Sequence, residues 1–173
     1  MPKSLTIALA AASVVWLATH AQAAQISPQD QQFVIDAAQT NIAEVGAGKL
    51  ALQKGTSPAI KQLGQTLITD HTRAEDQLQQ IAQQHGLQLP QTPNQEQQTT
   101  AGRLSQTKPG RESFDTAFAQ DMVAGHQKAI SEFQQEAQST KDPTLRSYAQ
   151  NTLPVLQKHL QLSETAARVG ATP

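Results

Sequence analysis

Cysteine is absent from the 173-residue chain. That excludes disulfides, thiolate nucleophiles, thiolate metal sites and lipidation of an N-terminal cysteine. Aromatic residues are scarce, at 3%, and the alternating β-branched and aromatic runs that mark strands are missing. There is no glycine-rich phosphate loop. Thr72, Thr152 and Ser163 stand in no triad context, so nucleophilic catalysis has no support. Neither sign of charge prevails: 13 basic side chains face 14 acidic ones, for a net charge of -1. Such a balance gives no reason to expect nucleic acid or an anionic membrane surface as partner.

What remains is alanine and an unusual 28 glutamines. Small apolar and long polar residues together suit closely packed helices with hydrated outer faces, an all-α chain. The one long apolar run, Leu5 to Ala18, follows Lys3 and precedes Ala21-Gln22-Ala23. Residues 1–23 therefore read as a secretory signal peptide cut after Ala23, with residues 24–173 as one domain. The run is shorter than the about 20 residues that a membrane span needs. Losing Lys3 with the leader leaves 12 basic and 14 acidic side chains, or -2. The reading is a protein exported to the periplasm or cell envelope, with no membrane span after cleavage and room for a homo-oligomer.

Four long helices follow from periodicity and punctuation. Ser27-Pro28 opens the first, to about Lys54, with Phe33, Ala37, Asn41, Glu44, Gly48 and Ala51 on its seam. Gly55-Thr56-Ser57-Pro58 separates it from the second, which ends near His85-Gly86; a histidine there suits the helix dipole. The third runs from about Glu112 to Ser139 on Phe114, Phe118, Met122, His126, Ala129 and Phe133. Asp142-Pro143 starts the fourth, to about Val169, and Pro154 is expected to kink it or remove one backbone bond. Residues 87–113 are polar and broken by prolines. They read as a crossover linker with at most a weak helix over 94–106.

A shift of 85 residues aligns the two halves: Phe33 with Phe118, Asp36 with Asp121, Pro58 with Pro143. The internal repeat implies two antiparallel hairpins of equal length. A linker of this reach can cross a bundle about 40 Å long. The expected fold is thus a ferritin-like four-helix bundle with one long crossover; an up-down-up-down bundle is the alternative.

The second helix carries the main clue. Ile60, Leu63, Leu67, Ala74, Leu78 and Ile81 share a face, and the place skipped between Leu67 and Ala74 is His71. Glu44, His71, His126 and His159 all lie 13 to 17 residues from the proline that marks their hairpin turn. All four should meet at mid-height. One carboxylate and three imidazoles make a ligand set for one divalent ion such as zinc, iron or copper. Asn41, Asp70, Glu75 and Asp121 are placed to support them. The same residues can equally be a hydrogen-bonded network that sets helix register. Dinuclear ferritin-like sites need Glu-x-x-His on two helices. Ile68 and Leu156 occupy the glutamate places here, which counts against dinuclear oxidase chemistry.

The segments NIAEVGAGKLAL, IKQLGQTLITDHT, FAQDMVAGHQKAI and LRSYAQNTLPVLQKHLQL are distinctive. Across about residues 28 to 165 the chain resembles the bacterial domain-of-unknown-function family numbered forty-one forty-two, often labelled an outer membrane protein. The resemblance implies an exported ferritin-like bundle with Glu44, Asp70, His71, Asp121, His126 and His159 as motif positions, and no established activity. The leading functional reading is a non-enzymatic envelope protein, tied to stress, whose central polar layer can bind metal. Its rivals are a metal-dependent redox or storage protein and a periplasmic interaction module with glutamine-rich docking faces.

Overall fold

The computed structural model describes residues 26–170. The expected leader at 1–23 lies outside the described residues. Among those described there are five α-helices and no strand: α1 (Pro28–Lys54), α2 (Pro58–Gln84), α3 (Gln95–Gln106), α4 (Thr116–Ser139) and α5 (Pro143–Gly170). A short π-helical turn, Arg111–Asp115, leads into α4.

Each helix start has a local cause. Ser27 and Asp30 form a reciprocal capping box ahead of Pro28, meeting two backbone amides that the first turn leaves unbonded. Ser57 Oγ accepts from the Ile60 amide. Asn94 and Gln97 form a second capping box on α3, and Asp142 Oδ1 accepts from the Thr144 and Leu145 amides at 2.9 Å each. Gly86, at φ 66°, ends α2 in the left-handed region that glycine enters without a steric penalty. Pro154 lies within α5, which continues through it. Its ring is exposed, so water can satisfy the carbonyl left without a donor.

The contacts at the helix ends settle their directions. The Asp115 carboxylate, at the head of α4, accepts from the Thr56 and Ser57 amides and from Thr56 Oγ1 in the α1–α2 turn. At the opposite end, His85 after α2 lies 3.3 Å from Asp142, the cap of α5. Helices α2 and α4 therefore run parallel, α1 and α5 oppose them, and the connection from α2 to α4 travels the full length. Helix α3 rides on that connection. It lies along α1 and α4: Gln97 donates to Thr40 at 3.1 Å, Lys54 to the Ser105 carbonyl, and Arg103 pairs with Asp121. The weak helix expected over 94–106 is thus a docked element.

Helices α1 and α2 approach closely because Gly48 faces Gly64. A Cβ on Gly48 would lie 2.6 Å from the Gly64 carbonyl oxygen. The apolar core forms two clusters. One, at the α1–α2 turn, includes Leu63, Leu67, Leu104, Phe114 and Phe118. The other, at the far end, includes Val34, Leu78, Phe133, Leu145 and Leu156. On α1, Val34 is fully buried while the expected Phe33 only packs against this cluster. Burying each large side chain contributes about 1.5–3 kcal/mol. Between the clusters lies a polar layer.

Candidate metal centre

Three imidazoles meet in that layer. His71, from mid-α2, is 4% exposed, His126, from mid-α4, 2%, and His159, from mid-α5, 0%. One nitrogen from each ring lies within 4.8 Å of the others. His126 Nε2 and His159 Nδ1 are 3.2 Å apart.

The partners of the remaining nitrogens assign the tautomers. His71 Nδ1 lies 3.0 Å from Asn41 Oδ1. Asn41 in turn donates through Nδ2 to Glu75 at 3.1 Å, so its oxygen is free to accept and His71 Nδ1 carries the hydrogen. His126 Nδ1 donates to the Met122 carbonyl at 2.8 Å. His159 Nε2 donates to Asp70 Oδ2 at 3.0 Å. In neutral rings, His71 Nε2, His126 Nε2 and His159 Nδ1 are then left as lone pairs.

Two consequences follow. His71 Nε2 is buried and has no hydrogen-bond partner. The lone pairs of His126 and His159 face one another, which is repulsive unless a proton or a metal ion lies against both. Burial also favours the neutral rings. It pushes His71 well below the usual imidazole range, helped by His159 and His126. It lowers His159 too, against the opposing pull of Asp70. A pinned N–H on one side of each ring and a lone pair on the other is how histidine ligands are held ready for metal.

The other predicted residues divide. Asn41, Asp70 and Glu75 support the rings as described, with Asp70 serving His159 rather than its neighbour His71. Glu44 is 9% exposed but stands outside the three-nitrogen group. Its Oε2 is buried without a partner, and burial raises its pKa while the nearby His126 lowers it. Glu44, His71 and His126 line a cavity of about 350 Å³ between α1, α3 and α4. Asp121 does not reach the rings: it lines that cavity and pairs with Arg103. The Met122 carbonyl carries no side-chain signal in the sequence, although any residue four before a helical histidine offers one.

A family model described as a domain of unknown function, DUF4142, matches residues 17–165. A search of curated proteins finds no match. Among solved structures, a DUF305 fragment from Deinococcus radiodurans superposes with a TM-score of 0.72 at 14% identity, covering 83% of this chain and 98% of that one. CopM in its Cu(II)-bound form gives 0.68 at 19% identity, covering 80% and 95%. CopM in its Ag-bound form gives 0.67 at 17%, covering 83% and 98%. At these identities the likeness is one of fold.

Proposed function

This chain belongs to the DUF4142 family, a domain of unknown function, and from its own side chains we propose a mononuclear metal-binding protein of the cell envelope. The observation that carries this is the convergence of three imidazole lone pairs, each ring pinned through its other nitrogen. His71, His126 and His159 are the ligands, and Glu44 supplies a fourth by turning inward from the cavity wall. Asn41, Asp70 and Glu75 orient the rings; Asp121 stands at the cavity rim.

Metal–nitrogen bonds of about 2.0–2.1 Å hold neighbouring ligands roughly 2.8–3.4 Å apart, the short end at the square-planar angle that Cu(II) prefers and the long end at the tetrahedral one. The His126–His159 pair, at 3.2 Å, already lies in that range; His71 has to close in. Imidazole ligands suit zinc, iron and copper, and copper(II) stands highest in the affinity order. Copper is the preferred ion also because CopM, which shares the fold, was solved with Cu(II) and with Ag.

The helix directions support the one-crossover, ferritin-like arrangement; residues 24–173 as a single domain remains the reading of the sequence. Export rests on the leader reading of residues 1–23. No described helix is long and apolar enough to cross a membrane. The absence of Glu-x-x-His favours binding over dinuclear oxidase chemistry. The test is metal content of protein isolated from its native compartment, beside Cu(II) titration. One ion per chain, lost in the His126→Ala, His159→Ala double variant, is expected. Metal-free protein that takes up no ion on titration would leave only a structural network.

A further inference from the structure

The three imidazoles are closed off on most sides. On the α2–α5 side, Asp70 sits against His159, which has no exposed surface. The cavity between α1, α3 and α4 differs. It reaches both His71 and His126, and it is lined by Glu44 and His71, whose Oε2 and Nε2 atoms are buried without partners. Its wall carries four carboxylates, Glu44, Glu96, Asp121 and Glu132, and two cations pair with them, Arg103 with Asp121 and Lys128 with Glu132. The two remaining carboxylates, Glu44 and Glu96, leave the cleft net acidic, and an acidic cleft concentrates cations.

Helix α3 covers this cavity and is lightly held. Leu104 is its one buried side chain. Gln97 to Thr40, Lys54 to Ser105 and Arg103 to Asp121 tie it down at the rims. Pro90 and Pro93 precede it, and Pro109-Gly110 follows, with Gly110 at φ 142°. An element with one buried apolar anchor and three polar ties, two of them exposed, belongs to the part of a fold that opens first.

We infer that the α1–α3–α4 cavity is the ion's path to and from the three imidazoles, and that α3 is the cover that opens it. The inference rests on the metal reading above, and it separates affinity from rate: the rings set how tightly the ion is held, and α3 sets how fast it moves. Outside, the acidic wall gathers the cation. Inside, Glu44 is the carboxylate between wall and rings.

The absence of native cysteine allows a direct test. Thr40→Cys and Gln97→Cys, at positions whose parent side chains meet end to end, are too far apart for a direct disulfide and are joined by a short bis-maleimide, which ties α3 to α1. Loading with Cu(II) and release to excess EDTA are followed by stopped flow, with wild type as the comparison, since both proteins then lack free thiols. The closed variant should load and release about tenfold more slowly or worse, at unchanged stoichiometry and affinity. Leu104→Ala loosens the cover and should speed both steps by about tenfold or more. Equal rates in all three proteins at full binding would overturn the path and leave the site standing. No Cu(II) bound by wild type at equilibrium would overturn both.

Discussion

Replacing His71 and Asn41 together by leucine distinguishes a ligand set from a structural network. In the metal-free protein both residues are about as buried as core leucines, 4% and 5% exposed. His71 Nε2 is an orphaned buried acceptor, a defect worth about 1–3 kcal/mol. The bond from His71 to Asn41 returns only about 1 kcal/mol net. Removing both partners deletes the orphan and the bond at once, and the groups that lose Asn41 as a neighbour are Glu75 and the Tyr148 hydroxyl. Glu75, which loses the Asn41 donor, is half-buried and can turn to water. Each buried leucine adds roughly 1.5–3 kcal/mol, against about 1–3 kcal/mol for fitting the extra volume. The balance favours the variant by about 2 kcal/mol, or a Tm higher by roughly 4–8 °C for a domain of this size. The assay is thermal and urea unfolding with a chelator present. The same variant should lose metal binding. A site that is kept although its removal stabilises the fold is kept for something other than folding. A variant less stable than wild type by about 2 kcal/mol or more would refute this reasoning and make the layer a structural device.

Three further outcomes follow. Asp115→Ala removes the acceptor shared by the Thr56 and Ser57 amides and by Thr56 Oγ1; it should lower stability by about 2–4 kcal/mol, and urea unfolding showing less than about 0.5 kcal/mol would contradict that anchor. Gly48→Ala puts a Cβ against the Gly64 carbonyl and should destabilise by about 1–3 kcal/mol, with an unchanged Tm as the contrary result. Glu136, buried beside Asp30, is pushed up from 4.5 to about 7, by burial first and the Asp30 charge second. A carboxyl raised in the folded state contributes stability in full below pH 4.5 and loses it as pH rises through about 7. Glu136→Gln should abolish that decline, leaving the variant ahead by about 1–3 kcal/mol at alkaline pH, whereas parallel pH profiles would contradict the pairing.

Much of the centre can be read from the chain because a helix turns spacing into height. His71 interrupts an apolar stripe, and His126 and His159 lie at matching distances from their turns, so their meeting follows from geometry along each helix. Rotation about each axis is harder to read. Asn41 and Glu44 share the inner face of α1, one turn apart, and spacing alone ranks the carboxylate as the ligand. The structure places Asn41 against His71 and turns Glu44 to the cavity. Asp70 adjoins His71 in sequence yet serves His159, since neighbours on a helix point about 100° apart. Helix α3 was legible only as a weak helix. With one buried apolar residue its docking depends on the gap between α1 and α4, a property of the assembled fold. Asp115 reads as an ordinary helix-start residue, because the turn it anchors is 58 residues earlier.

The most direct measurement is X-ray absorption fine structure at the copper edge, on protein loaded with one Cu(II) per chain. Three imidazole nitrogens at about 2.0 Å, lost from the spectrum of the His126→Ala, His159→Ala variant, are the predicted result. A shell of oxygens without imidazole scattering, or a spectrum that the double variant leaves unchanged, would contradict it.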